Sequence, residues 1–323
     1  MDKHPLVSIV ITNYNRGTTI ARAIESALAQ DYPNLEIIVS DNCSTDDSHT
    51  TISNYIQDKR IKYYRNETNI GMLGNFKISF EERAKGEYIT IVNSDDELIN
   101  SKFISQSVDL INKYPNIVIV KSNNITSSSF GEFENKNDSY KEFYTGLDFL
   151  KQIDFTVDFG WTGILLHKKS IDILNIFENE VIAGDYFTNF KLLTIGNICF
   201  NKHASYKYFL HKQNASNSAL ALEQIPQLFK ELEVVFNMLI NKCDSDNFTI
   251  IKSKMITFYF NRIYHFHYLQ SRKTFPKAKE LMMQYNSQVL QKLIQQKQIK
   301  QLNYLFYFPW LGRVLTNIKK KIF

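Results

Sequence analysis

Only three cysteines occur in 323 residues: Cys43, Cys199 and Cys243. They are far apart, odd in number and without metal-ligand spacing. That excludes a disulfide framework and a cysteine-based zinc site, and leaves reduced structural thiols in a cytoplasm as the expectation. Glycine and proline are also scarce, at 11 and 6, which excludes long flexible linkers and disordered tracts. No run reaches the roughly 18–20 apolar residues that span a bilayer. The N-terminus, Met1-Asp2-Lys3-His4-Pro5, runs straight into a strand-like segment and reads as lacking a secretion signal. Acidic residues vanish after Glu280, whereas that tail carries Lys292, Lys297, Lys300, Arg313, Lys319, Lys320 and Lys321. The net charge of +5 therefore belongs to the tail, and an anionic partner is expected there alone. With basic residues so confined and no recognition module visible, nucleic acid is excluded as a partner.

What is present is a chain able to bury a large core: 44% hydrophobic, with 24 Phe and 18 Tyr. Leu6–Thr12, Glu36–Ser40, Ile61–Arg65 and Glu87–Val92 are short apolar runs read as strands. Between them Thr18–Gln30, Asp46–Asp58 and Met72–Ala84 have helical periodicity. Strands alternating with helices predict βαβ units and a mostly parallel sheet. Lys102–Lys113 is predicted helical and Ile117–Lys121 a strand. Residues 122–146, rich in Ser, Asn and Glu, read as a surface loop or an excursion on the acceptor side. From about 221 the pattern changes to long helical segments near 221–242, 247–271 and 275–298. The expected division is therefore 1–220 for a catalytic domain and 221–323 for a helical region.

Ligands of an open α/β sheet bind beyond the carboxyl ends of its strands. Three polar clusters fall there: Thr12-Asn13-Tyr14-Asn15-Arg16, Asp41-Asn42-Cys43-Ser44-Thr45-Asp46 and Asp95-Asp96. Asp41 is placed to accept from a base N–H or a ribose hydroxyl. Tyr14 is either core or a stacking platform for a base. Asp46 reads as an N-cap for the next helix. Two adjacent carboxylates repel unless a cation or donors compensate. Mg²⁺ favours one or two carboxylates plus substrate phosphates, so Asp95-Asp96 fits a metal that arrives with a diphosphate.

The segments Pro5–Arg16, Glu36–Asp46, Asn69-Ile70-Gly71 with Asn75, and Gly86–Asp96 resemble the family 2 glycosyltransferases. The resemblance is continuous over about the first 120 residues, patchier to 220 and absent beyond. It implies an inverting enzyme of the GT-A fold, an α/β, Rossmann-like, mostly parallel sheet flanked by helices, here with a C-terminal helical extension. It implies a nucleotide-sugar donor held by Thr12, Tyr14, Arg16, Asp41, Asn69, Asn75 and Asp95, and a divalent metal, Mn²⁺ or Mg²⁺, at Asp95 and Asp96. The Asp-x-Asp pattern of the wider class stands here as Ser94-Asp95-Asp96.

Downstream, Ala183-Gly184-Asp185-Tyr186-Phe187 resembles the segment in which the family places its general base, which makes Asp185 the expected catalytic residue. A simple N-cap is the alternative for it, and Glu178 and Glu180 compete for the role. Tyr208-Phe209-Leu210-His211 with Ser216 and Ser218 resembles a segment whose His reaches metal or diphosphate. His211 is thus a third expected metal ligand, although the usual neighbouring Arg is missing. Residues 122–165 and 178–190, including Trp161, are expected on the acceptor side, with Trp161 either stacking on a sugar or sitting in the core. The tail 299–323 combines aromatic residues with lysines, which fits a segment on an anionic membrane surface or a helix packed on the body. Many relatives glycosylate lipid-linked glycans, so the resemblance implies such an acceptor and a peripheral place on the inner face of the plasma membrane. No Gly-rich phosphate loop or Gly-x-Gly-x-x-Gly fingerprint is present, which excludes a sugar nucleotidylyltransferase and a dinucleotide enzyme. The competing non-enzyme reading is a catalytically inactive scaffold of the same fold; retention of Asp41, Asp95, Asp96 and Asp185 argues against it. The sequence fixes no oligomeric state.

Overall fold

The computed structural model describes residues 4–155, 158–177, 184–211, 214, 221–267 and 273–299. Its elements run β1 (Val7–Asn13), α1 (Ile20–Leu28), β2 (Leu35–Asp41), α2 (Ser48–Ser53), β3 (Ile61–Arg65), α3 (Gly71–Ile78), β4 (Tyr88–Asn93), β5 (Glu97–Leu98), α4 (Phe103–Lys113), β6 (Ile117–Ser128), β7 (Gly131–Asn135), β8 (Phe143–Tyr144), α5 (Gly146–Gln152), β9 (Ile164–His167), α6 (Lys168–Leu174), α7 (Gly184–Leu193), β10 (Asn197–Phe209), α8 (Ile225–Leu239), α9 (Ser245–His265) and α10 (Phe275–Ile299). A π-helical turn, Ser79–Arg83, continues α3. Contacts divide the chain into two compact units. The first holds the whole sheet with α1–α4 and α6; the second holds α5 from Leu147 on, α7 and the three C-terminal helices.

The strands of the first unit form one sheet in the order β3-β2-β1-β4-β9-β6-β10-β5, with β7 on β6 and β8 on β10. The long pairings β3–β2, β2–β1, β1–β4 and β6–β10 are parallel. β5, β7, β8 and β9 join by short antiparallel pairings. This is the mostly parallel, helix-flanked sheet expected from the sequence. Its central strands are apolar because both faces are covered: every residue of β2 is buried. The apolar stripes of α1 (Ile20, Ala23, Ile24, Ala27) and α4 (Phe103, Ile104, Val108, Ile111) close one face over Ile9, Ile11, Ile37 and Val39.

The expected surface loop at 122–146 is instead largely sheet: β6 runs on to Ser128 and turns back as β7. Ser122, Asn123, Asn124, Thr126 and Asn137 are buried and hydrogen-bonded to their neighbours. Asn123 Nδ2 donates to Lys202 O at 2.8 Å and its Oδ1 accepts Asn137 N–H at 2.8 Å. Asn135 Nδ2 donates to Asn124 Oδ1 at 2.8 Å. A strand whose side chains satisfy each other need not be apolar, so hydropathy alone missed it.

In the second unit, α7 packs on α9 through stacked Phe187 and Tyr259 rings, 4.8 Å apart. It pairs with α8 through Lys191 and Glu231 at 2.7 Å, both nearly buried. Tyr285 of α10 stacks on Phe229 of α8 at 4.2 Å. Asp244 caps α9 by accepting Asn247 N–H at 2.8 Å. Among the described residues, no helix is long and apolar enough to cross a membrane.

Candidate active site

The parallel register sets the three polar clusters side by side. Asn13 at the end of β1 pairs with Asp41 at the end of β2, and Thr12 pairs with Asn93 at the end of β4. Arg65, ending β3, pairs in turn with Asp41. The loops after β1 and β2 each turn through one left-handed residue, Asn15 at φ 52° and Cys43 at φ 64°. Asn takes that conformation readily; Cys does so at a cost of roughly 1–2 kcal/mol.

Asp41 is fully buried. Its Oδ1 accepts from Asn13 Nδ2 at 3.0 Å, from Ser44 N–H at 3.3 Å and from the Ser44 hydroxyl. Its Oδ2 is held only by long contacts, to Tyr63 hydroxyl at 3.4 Å and Arg65 Nε at 3.5 Å. Beside it, Asn13 Oδ1 is buried with no hydrogen-bond partner. This pocket of acceptors suits an imide-type N–H donor. Tyr14, 46% exposed, presents a ring at the same edge, so it is not a core residue. Thr12 is partly exposed.

Asp95 and Asp96 face different surroundings. Asp96 is fully buried. Its Oδ2 accepts from Tyr206 hydroxyl at 2.7 Å and Asn93 Nδ2 at 3.1 Å, and its Oδ1 accepts Phe209 N–H at 2.9 Å. Burial and the neighbouring Asp95 charge push Asp96 up to about 7, against those hydrogen bonds. The Asp95 side chain is 16% exposed, and its Oδ2 meets Arg16 Nε at a long 3.4 Å. Arg22 Nη2 fixes the Asp95 carbonyl at 2.6 Å, with the guanidinium 3.9 Å over the Phe209 ring. Among the described residues no group of three or more His, Cys, Asp or Glu could hold a metal alone. A divalent cation here would take one or two carboxylates of this pair, completed by diphosphate oxygens and water. Asp96, also expected as a metal ligand, is fully buried and uses part of its acceptor capacity inside the fold, so Asp95 is the more accessible of the two carboxylates.

Two other expected donor contacts have structural tasks. Asn75 is buried, accepting from Ser40 Oγ at 2.7 Å and Asn66 Nδ2 at 3.1 Å and donating to Ser40 O at 3.0 Å. Asn69 Oδ1 accepts Asn42 Nδ2 at 2.8 Å and Gly71 N–H at 2.9 Å, tying the start of α3 to the loop after β2. Asp46 accepts Gly17 N–H at 2.8 Å and Ser48 N–H at 3.0 Å; the residue in the N-cap position is Asp47. Trp161 belongs to an aromatic cluster, stacked on Phe80 at 5.5 Å and edge-on to Phe76 at 5.8 Å. Asn13 and Ser44 stand within the polar clusters of the sequence without a role of their own, and Arg65, Arg22 and Tyr206 were not singled out. Strand register reveals the first three, since each lies at or just beyond a strand end.

Asp185 and His211 lie in the second unit. Asp185 sits in the first turn of α7, not at its cap, partly exposed, and accepts Tyr186 N–H at 2.9 Å. His211 N–H donates to Asn214 Oδ1 at 2.5 Å, and its Nε2 lies 3.5 Å from Asn214 Nδ2. Glu178, Glu180, Ser216, Ser218 and the tail from Lys300 lie outside the described residues.

A sheet of this topology with a carboxylate-lined edge beyond β1, β2 and β4 defines a GT-A type protein. The glycosyl transferase family 2 profile matches residues 8–173, just over half of the chain, and the chain belongs to that family. It is 29% identical over 215 residues to the GalNAc(5)-diNAcBac-PP-undecaprenol beta-1,3-glucosyltransferase of Campylobacter jejuni, covering 64% of this chain and 63% of that one. It is 43% identical over 101 residues to the UDP-Glc:alpha-D-GlcNAc-diphosphoundecaprenol beta-1,3-glucosyltransferase WfaP of Escherichia coli, covering 31% of this chain and 39% of that one. The matches thus span less than two thirds of either relative. Staphylococcus aureus TarS 1–349, in complex with UDP-GlcNAc, matches at a TM-score of 0.69 and 18% identity, covering 88% of this chain and 82% of that one, which is a likeness of fold.

Proposed function

We propose that this chain transfers a sugar, with inversion, from a nucleotide-diphosphate sugar to a hydroxyl of a lipid-linked glycan acceptor in surface-polysaccharide synthesis. The observation that carries this is the register that pairs Asn13 with Asp41 and Thr12 with Asn93 at the carboxyl ends of β1, β2 and β4, with Asp95 two residues beyond the end of β4. Asn13 and Asp41 take the base through its N–H, with Tyr14 stacked on it, and Thr12 lies at the nucleoside side. Arg16, ion-paired to Asp95 at 3.4 Å, stands ready to meet the diphosphate as that carboxylate turns to a cation. Asp95 is the residue that would hold Mn²⁺ or Mg²⁺. Such an ion neutralises charge building on the departing diphosphate.

Asp185 acts as general base, drawing the proton from the acceptor hydroxyl as that oxygen attacks the anomeric carbon; such a group contributes about 10²–10⁴-fold. The relatives named for diphosphoundecaprenol acceptors support the acceptor class, and residues 1–220 are the proposed catalytic domain. His211 is a further candidate for the diphosphate side, and the tail 299–323 for an anionic membrane surface, making the protein peripheral on its inner face.

The test is a panel of nucleotide-sugars with and without Mn²⁺ or Mg²⁺, scored for hydrolysis and thermal stabilisation. One donor should stabilise the protein in a metal-dependent way that Asp95→Ala abolishes. Asp185→Asn should retain that stabilisation and lose transfer. No response to any donor in the presence of metal sinks the reading.

A further inference from the structure

Arg262, on α9, is a cation without a carboxylate partner among the described residues. Its guanidinium carbon lies 5.0 Å from the centre of the Tyr186 ring and 5.3 Å from that of Phe258. Those two rings stack at 5.4 Å and 26°. The aromatic faces offset part of the cost of drawing a guanidinium from water. They accept nothing from Nη1, which is buried with no hydrogen-bond partner. A buried, charged donor left unpaired is costly, and the chemistry that relieves it is a phosphate or carboxylate oxygen.

The surroundings say which anion. Tyr186 follows Asp185 on the first turn of α7, and Asp185, Tyr186 and Arg262 are all partly exposed. Tyr186 hydroxyl lies 3.5 Å from Asp158 Oδ1, which steadies the ring. Phe187 docks the same turn on Tyr259, one α-helical turn before Arg262. The buried Tyr259 phenol, raised first by burial, is also raised by Asp185 and lowered by Arg262. Arg262 and Asp185 therefore border the same part of the second unit.

We infer that Arg262 grips the diphosphate of the lipid-linked acceptor while that acceptor's sugar hydroxyl lies at Asp185. The inference rests on the transferase reading of Asp185. Where the acceptor is a single sugar on the lipid diphosphate, as in the name of the WfaP relative, one ring separates the accepting hydroxyl from the first phosphate, so base and phosphate-binding residue belong close together. Guanidinium is suited to the task, since its planar fork takes two phosphate oxygens at once.

The experiment uses farnesyl diphosphate, below its micelle concentration and with EDTA present, titrated into the whole chain by calorimetry. UDP, titrated separately with Mg²⁺ in place of EDTA, is the second ligand. Arg262→Gln should weaken farnesyl diphosphate binding about tenfold or more, which is a loss of about 1.4 kcal/mol, and leave UDP binding unchanged. Arg262→Lys, which keeps the charge and the packing, should fall between. Asp185→Asn should bind farnesyl diphosphate like wild type. Wild-type binding of farnesyl diphosphate by a folded Arg262→Gln, or no binding by wild type itself, overturns the inference. Equal weakening of UDP also overturns it, by assigning the contact to the donor's diphosphate. Donor hydrolysis is scored separately, so failure of the transferase reading is read independently of failure at Arg262.

Discussion

Asp96→Ala would strand the Tyr206 hydroxyl, the Phe209 N–H and the Asn93 amide, all now donating to one buried carboxylate. Buried donors left without acceptors cost about 1–3 kcal/mol each at most, less where the site relaxes, so a total loss of about 3 kcal/mol is expected in urea denaturation. Asp95→Ala breaks a long, partly exposed ion pair to Arg16. It should cost under about 1 kcal/mol, while removing metal-dependent donor binding. The opposite pattern, a stable Asp96→Ala protein lacking metal response, would mark Asp96 as the ligand. The sequence made the pair legible, because two adjacent carboxylates need compensation. It could not divide their roles. The donors to Asp96 include a tyrosine 110 positions away, brought close only when β10 crosses to pair with β5. The structural task of Asn75 was hidden for the same reason: its partners Ser40 and Asn66 come from other elements.

Among the elements, β1, β2, β4, α1 and α4 were legible because burial on a face imposes a period on hydrophobic residues. β6 beyond Lys121 and β7 were not, because asparagine ladders satisfy that part of the sheet. At the opposite, amino-terminal end of the sheet, Glu36 joins several elements. Its Oε1 accepts from Ser8 Oγ at 2.6 Å and from Lys85 and Gly86 N–H at 2.6 and 3.1 Å, and its Oε2 meets Lys62 Nζ at 2.6 Å. Burial raises the Glu36 pKa, but the bonds from Lys62, Ser8 and Lys85 outweigh it, and the net shift is downward from 4.5. A carboxyl depressed in the folded state gives stability that is present above pH 4.5 and lost as pH falls through its folded value. Glu36→Gln is therefore expected to cost about 2 kcal/mol at neutral pH. The gap from wild type should narrow below pH 4.5, as read from urea midpoints across pH. A gap that stays constant with pH would show that packing, not charge, holds this junction.

At the scale of the whole molecule, the division of labour is also one of charge. The sheet-bearing unit and the helical unit carry both signs, whereas the chain beyond Glu280 carries only positive ones. Residues 299–323 add Tyr304, Phe306, Tyr307, Phe308, Trp310 and Phe323 to Lys300, Arg313 and Lys319–Lys321. Each basic residue near an anionic leaflet is worth about 1 kcal/mol, and interfacial aromatics add apolar burial. Five such charges with six aromatics are the composition of a segment that binds an anionic surface. The full chain should therefore co-sediment with phosphatidylglycerol vesicles, weakly with neutral phosphatidylcholine ones, and lose much of that binding in high salt. Deleting 299–323 should abolish vesicle binding, leave the unfolding midpoint in place and leave donor hydrolysis intact. Transfer to a lipid-linked acceptor should fall, while transfer to a soluble glycan acceptor should not. If instead the deletion lowers the unfolding midpoint and spares vesicle binding, the tail packs on the body. The membrane contact would then have to come from elsewhere in the chain.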